Sequence, residues 1–236
     1  MANATVDPKN VTIRGRVSFP SWTHAEAVAK ASKSTIPQIA QKAVNDPGSI
    51  TPEFTLLVEQ AQLDKLIQHL ENEFIPYVEA QFAAKEKRDA LDPKYVKKIV
   101  DRLASGEWND GVPHLPIKVI NEKTADLAPE CVAGIKVIGP KGGDIVLEAT
   151  VFSEDQLSTP DADILKYPVR KPIHETNFVP YPGAYFAATL NLYAYFGSSS
   201  VYGIGAGANI AFYLGNYEGE RFGGGGAVNE DEIFAD

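Results

Sequence analysis

Cysteine is almost missing from this chain: Cys131 stands alone among 236 residues. A single thiol excludes an intrachain disulfide framework and fits a reducing compartment, and its plain reading is a small buried hydrophobe rather than a reactive group. No apolar run approaches the roughly 18 residues that a membrane span needs. Residues 1 to 7, MANATVD, carry neither the basic start nor the apolar stretch of a secretory leader. The histidines His24, His69, His114 and His174 stand far apart, with no His-x-x-x-His or Cys-x-x-Cys partner, so metal-ligand spacing is absent. Nucleophile elbows and Walker loops are absent too, because glycines 203, 205 and 207 merely alternate and the run at 223 to 226 is not followed by Lys-Ser/Thr. These absences point to a non-enzyme with no cofactor, no metal and no membrane partner.

What is abundant lies late in the chain. From 184 to 196 the even positions are Ala184, Phe186, Ala188, Leu190, Leu192, Ala194 and Phe196, while Tyr185, Thr189, Asn191, Tyr193 and Tyr195 fall on odd ones. Side chains alternate across a strand, so this segment has a dry face and a face of tyrosines on a polar ground. A strand covered on both sides should read as a continuous apolar run, and Thr189 and Asn191 interrupt this one. Exposed phenol rings can stack on unpaired bases whatever the base. The glycines at 203, 205 and 207 leave one side of the following strand nearly bare. A three- or five-residue turn near Ser198 sets Tyr193 and Tyr195 opposite those glycines, whereas a four-residue turn sets Tyr195 opposite Tyr202. Either arrangement leaves room for a strand of nucleic acid, or for a tight sheet crossing.

The net charge of −9 is unevenly spread. Glu218, Glu220, Glu230, Asp231, Glu232 and Asp236 against Arg221 place −5 of it in residues 218 to 236. That Gly-rich stretch is too polar to fold alone and reads as a flexible acidic tail, in which Ile233 and Phe234 make a hydrophobic-acidic plug. Basic residues concentrate elsewhere. Residues 11 to 19 alternate as a first strand, with Val11, Ile13, Val17 and Phe19 on one face and Arg14 and Arg16 on the other.

Asp92-Pro93 starts a helix and Gly106 ends it, with Tyr95, Val96, Ile99, Val100 and Leu103 as its apolar stripe and Lys94, Lys97, Lys98 and Arg102 opposite. Local field decides whether a polyanion docks, so these cations matter more than the total. A helical period also runs from Leu63 to Val78, which Pro76 kinks or restarts. Residues 20 to 50 lack strong periodicity. The segments 132 to 138 and 145 to 152 flank a Gly-Pro-Lys-Gly-Gly-Asp turn and read as a hairpin. Trp22 and Trp108 both fall in loops beside element ends, where each suits stacking on a base or capping the core. The pattern is a β-rich α+β fold, barrel-like, in one elaborated domain over 1 to 217 with a helical insertion at about 62 to 105.

Three segments resemble the closing signature of the bacteriophage single-stranded-DNA-binding proteins of the OB-fold type. They are Tyr181-Pro182-Gly183-Ala184-Tyr185, Asn191-Leu192-Tyr193-Ala194-Tyr195 and Gly203-Ile204-Gly205-Ala206-Gly207-Ala208-Asn209, with Gly219-Glu220-Arg221-Phe222-Gly223-Gly224 beyond them. Gly15-Arg16-Val17-Ser18-Phe19-Pro20 resembles the first strand of that family. The resemblance implies a five-stranded antiparallel OB barrel with a disordered acidic tail at 218 to 236. Such a protein coats single-stranded DNA in phage replication or recombination, in the cytoplasm of the bacterial host. Arg14, Arg16, Lys94, Lys97, Lys98 and Arg102 would meet phosphates, and Trp22, Tyr185, Tyr193 and Tyr195 would stack on bases. Glu230, Asp231, Glu232, Ile233, Phe234 and Asp236 would compete with DNA or dock replication proteins. Two other classes stay open: a phage structural or assembly protein that uses the Tyr/Gly hairpin as a subunit interface, and a sugar- or nucleotide-modifying enzyme. Oligomeric state is not legible.

Overall fold

Val11, Ile13 and Val17 form the inward row of β1 (Asn10–Ser21) in the computed structural model, which describes residues 7–108, 111–150, 170–172, 180–214 and 221–222. The position between Ile13 and Val17 has to be glycine: a Cβ on Gly15 would collide with the carbonyl oxygen of Leu57 on the neighbouring strand. That neighbour is β2 (Glu53–Val58), antiparallel to β1 through Arg16↔Leu57 and Ser18↔Thr55. Next come β3 (Ile117–Val119), β4 (Ala133–Ile138), β5 (Val146–Thr150) and β6 (Arg170–Pro172). The last strands are β7 (Tyr185–Ser198), β8 (Val201–Gly207) and β9 (Ile210–Tyr213).

The pairing order β1-β2-β4-β8-β7-β1 closes on itself. This five-stranded Greek-key closure is the OB barrel. Its β4–β8 contact, Ile138↔Gly207, is parallel while the other four are antiparallel, so the barrel is mixed rather than wholly antiparallel. Phe54, Leu56, Ile135, Val137, Phe186, Leu190 and Leu192 fill the interior at 0–1% exposure. Each such side chain contributes about 1.5–3 kcal/mol by leaving water.

The even-numbered residues of β7 from Phe186 to Leu192 are buried as alternation predicts, whereas Ala194 is half-buried and Phe196, at the hairpin tip, is exposed. The strand is long enough to serve three neighbours, with β1 along one edge and β9 then β8 along the other. Beyond β9 the sheet extends through a parallel pairing to β5 and then to β6. The described residues 132 to 150 therefore do not form the hairpin that their turn signal suggests: β4 pairs with β2, β3 and β8, and β5 with β6 and β9. Local turn chemistry is outweighed here by closer long-range partners. A Cβ on Gly139 would come within 2.7 Å of both Pro52 and Ile145.

Helices fill the connections. Between β1 and β2 lie α1 (His24–Ser32) and α2 (Pro37–Asn45), in the stretch without strong periodicity. A capping box of Thr23 with Glu26 starts α1, and both of its hydrogen bonds form. Between β2 and β3 run α3 (Gln60–His69), a π-turn (Leu70–Phe74), α4 (Ile75–Ala83) and α5 (Pro93–Ser105). The π-turn precedes Pro76, which has no N–H to offer the α-helical ladder. Asp92 Oδ1 accepts the Lys94 N–H at 2.9 Å, and Gly106 ends α5 at φ 71°, as the sequence signals require. A short α6 (Glu122–Leu127) precedes β4. Leu66, Leu70, Phe74, Val96, Ile99 and Leu103 join the barrel residues in one continuous core.

Candidate nucleic-acid interface

The register of the β7–β8 hairpin sets Tyr193 opposite Gly205 and Tyr195 opposite Gly203. The bare side of β8 is not an open channel, because the protein uses that space itself. A Cβ on Gly205 would overlap the Tyr193 ring, and one on Gly203 would overlap the backbone of His114. His114 lies alongside β8, donating its N–H to Tyr202 at 2.9 Å and accepting from Ile204 N–H at 3.0 Å. Its Nδ1 shares a 2.7 Å hydrogen bond with the Tyr195 hydroxyl. Glycine thus lets a phenol and a second backbone segment approach where a side chain would exclude them.

The two tyrosines line a cleft of about 480 Å³ together with Trp108, His114, Lys118 and Lys136. Lys118 and Lys136 come from adjacent strands: Lys118 is opposite Gly134 and Lys136 opposite Thr55. Lys136 Nζ sits 2.9 Å from Glu53. Burial raises the Tyr193 phenol pKa, partly offset by Lys136, and burial with the neighbouring Tyr193 raises that of Tyr195. Both therefore stay neutral donors throughout the working pH range. The Trp108 Nε1–H is buried and meets no acceptor among the described residues. Buried donors are normally paired, so this one is available for a ligand oxygen or nitrogen.

Arg102, expected to meet phosphate, does something else. Its Nε donates to Glu107 O at 3.0 Å and its Nη1 to Pro113 O at 2.8 Å, bracketing the loop that carries Trp108. It is a positioning residue for the cleft wall. Arg102→Ala should weaken ligand binding without lowering its salt dependence, and Arg102→Lys should not rescue it, since one ammonium cannot reproduce the fork. A phosphate contact would instead lower the salt slope by about 1, so titrations at several salt concentrations decide between the roles.

Tyr185 is not brought to this cleft. It lies on the same strand face as Tyr193 but about 26 Å away along β7, opposite Arg16. Arg16 is only 5% exposed. Its guanidinium donates to Gly183 O, Leu127 O and Glu130 Oε1 at 2.9–3.2 Å and lies 4.3 Å from the Phe222 ring centroid. Arg16 is thus corrected from a phosphate ligand to a buried clamp, because its donors are already engaged within the chain. The Tyr185 hydroxyl donates to the same Glu130, and burial with that carboxylate pushes its pKa up to about 12. Arg14 pairs with Ala187 and lines a small separate cavity with Gln62 and Cys131, away from the cleft.

Trp22 is also corrected. It is 9% exposed and packs between Phe54 and Phe186 at centroid distances of 5.1 and 5.2 Å, so it belongs to the core. Trp108 is the tryptophan that reaches the cleft. Lys94, Lys97 and Lys98 are exposed on α5, with Lys97 paired to Asp101 and Lys94 3.5 Å from Asp92. The residues missed by sequence reasoning are His114, in a loop bridged to β8, and Lys118 and Lys136 in the short strands β3 and β4, with no local pattern to mark them. Glu230, Asp231, Glu232, Ile233, Phe234 and Asp236 lie outside the described residues. Phe222, beyond the expected domain boundary, is 8% exposed and donates its N–H to Pro182 O.

Cys131 is buried, and burial with the Glu130 charge pushes its thiol up to about 12. At about pH 8 a thiol reagent should react with the native protein far more slowly than with the unfolded chain. Equal rates would show that the site opens readily. Among the described residues no group of His, Cys, Asp and Glu could hold a metal ion, and no helix is long and apolar enough to cross a membrane.

The molecule is thus an OB-barrel protein with an aromatic, lysine-flanked cleft beside its β7–β8 hairpin. No family model and no curated protein matches the chain. Among solved structures it is similar to the single-stranded DNA-binding protein from bacteriophage Enc34, at TM-score 0.45 and 11% identity over 95% of this chain and 89% of that one. The same phage protein in complex with ssDNA matches at TM-score 0.44 and 11% identity, over 91% and 90% of the two chains. Its C-terminal truncation matches at TM-score 0.37 and 12% identity, over 91% and 89%.

Proposed function

We propose that this protein binds single-stranded DNA with little sequence preference, coating and protecting it during phage replication or recombination in the host cytoplasm. The observation that carries this reading is the cleft: Tyr193, Tyr195 and Trp108 supply aromatic surface, Lys118 and Lys136 supply positive charge, and the volume is about 480 Å³. Stacking on aromatic rings tolerates any base, and lysines meet phosphates without reading sequence. The cleft's position also supports the reading, since OB barrels bind oligonucleotides on the face of their second and third strands and on the adjoining hairpin loop. Here those strands are β2 and β4, and the hairpin is β7–β8.

Quenching of tryptophan and tyrosine fluorescence by poly-dT at two salt concentrations tests the proposal. Quenching that weakens at high salt is expected. Absence of quenching at low salt would retire it.

The domain over residues 1 to 217, its helical insertion and the acidic tail belong to the same proposal. The tail, net −5 over residues 218 to 236, competes with DNA for the cationic cleft or recruits replication proteins. Truncation after Phe222, which keeps that packed ring, should strengthen DNA binding several-fold. Equal affinity of the two forms would remove the competition and leave the cleft untouched. A second reading, a phage assembly protein with the hairpin as a subunit interface, draws on the half-exposed Phe196 and Val201 at the hairpin tip. Such a protein would oligomerise and ignore oligonucleotides.

A further inference from the structure

The β7–β8 hairpin has two faces, and the cleft uses only one. Tyr195 turns to the cleft, while the next residue, Phe196, turns to the opposite side and is 51% exposed. Its ring is propped rather than loose: the centroid of Tyr95 on α5 lies 4.8 Å away, and Tyr95 in turn meets the buried Tyr202 at 4.6 Å. Lys94 Nζ stands 4.9 Å from the Tyr95 ring centroid. Val201 beside the turn is 47% exposed. An aromatic ring backed by a second ring, held half out of water and with Lys94 beside its support, is a ledge on which a flat π system can lie.

We propose that this ledge is a second stacking platform for the same strand of single-stranded DNA, an inference that rests on the cleft reading above. The strand leaves the cleft, crosses the tip of the hairpin and lays a base on Phe196, with its phosphates toward Lys94, Lys97 and Lys98. Continuity supports this occupant. Tyr195 and Phe196 are consecutive, so the two platforms are separated only by the thickness of a β-ribbon, and the tip between them is built from small residues, Gly197, Ser198, Ser199 and Ser200. Charge supports it as well, since Lys94, Lys97 and Lys98 are all exposed on α5, where Asp101 and the capping Asp92 are the acidic neighbours. A stable protein partner needs about 800 Å² on each side, and Phe196 with Val201 falls well short of that. A nucleobase needs only one ring face.

Oligomers of dT bracketing the reach of an OB barrel, about 4 and about 16 nucleotides long, test the ledge. The full chain and its Phe196→Ala and Phe196→Trp variants are titrated with both. The short oligomer fills the cleft alone, so all three proteins should bind it equally. The long oligomer should bind Phe196→Ala roughly tenfold more weakly, and Phe196→Trp should retain wild-type affinity. Thermal melting of each variant confirms the fold, which a half-exposed side chain should perturb little.

Equal affinity of wild type and Phe196→Ala for the long oligomer would overturn the ledge and leave the cleft standing. Failure of the wild-type protein to bind either oligomer would overturn the cleft reading and the ledge with it. Loss of self-association in Phe196→Ala with DNA affinity unchanged would also overturn the ledge, and would assign the tip to a subunit contact.

Discussion

Tyr193→Ala should lower affinity for poly-dT by about 5- to 150-fold, while Tyr193→Phe should keep most of it. The range follows from about 1–3 kcal/mol for each stacked base, at tenfold per about 1.4 kcal/mol. Tyr193 is placed to show the effect because it lies at the floor of the cleft with its ring against Gly205, where no side chain of β8 intervenes. The phenol is neutral at any working pH, so the loss comes from the ring and not from charge.

Gly205→Ala provides an independent check. The added Cβ would occupy the position of the Tyr193 ring and displace it, reproducing much of the loss with the tyrosine still present. Fluorescence titration at fixed salt measures both variants. Full affinity in Tyr193→Ala would mean that the ring is only a wall of the barrel.

Arg16→Ala should behave in the opposite way, costing about 3 kcal/mol of stability and leaving the salt dependence of any DNA binding unchanged. The magnitude follows from removing a buried cation that hydrogen-bonds two carbonyls and a carboxylate. The guanidinium ties β1 to the end of α6 through Leu127 O, to the approach to β7 through Gly183 O, and to Phe222 by ring contact. Denaturant unfolding measures the loss.

Its partner Glu130 gives the pH dependence. Burial alone would raise that carboxyl pKa, but a backbone hydrogen bond and Arg16 hold it below the ordinary value of 4.5. A carboxylate held low in the folded state adds stability that is fully present above its unfolded pKa and disappears as pH falls through its folded one. Glu130→Gln should therefore be less stable than wild type at neutral pH, and the difference should vanish below the ordinary carboxylate range. A difference that persists in acid would assign the cost to packing.

The sequence made some features legible and hid others for definite reasons. Alternation marked β1 and β7, and Val11, Ile13 and Val17 of β1 and Phe186 to Leu192 on the even positions of β7 are buried as it expects, although Arg16, Ser18 and Ala187 on the opposite rows are buried as well. Asp92-Pro93 and Gly106 marked both ends of α5, because caps are local chemistry. The outward tyrosines were legible as a row but not as a site: Tyr185 shares their parity and ends beside Arg16, since β7 is long enough to cross the whole barrel. Arg14 and Arg16 looked alike on the wet face of β1. Arg16 is covered there by Glu130 and Phe222, more than a hundred residues away in sequence, and no local window contains them. Trp22 and Trp108 were indistinguishable as loop tryptophans until the barrel enclosed one and the Arg102-braced loop presented the other.

Side-chain period, capping residues and glycine spacing are properties of neighbouring residues, so the chain alone determined that two strands would pair as an aromatic hairpin, while the turn register that sets glycines opposite tyrosines was decided by the structure. It also determined that charge would segregate into an acidic terminal stretch and basic patches. Tertiary structure decided which cations remain at the surface and which are consumed as clamps, because burial and hydrogen-bond partners depend on contacts between distant segments. It likewise decided that His114, Lys118 and Lys136 converge on Tyr193 and Tyr195. Barrel closure brings β3, β4 and β8 together, and nothing in the order of residues along the chain encodes that meeting locally.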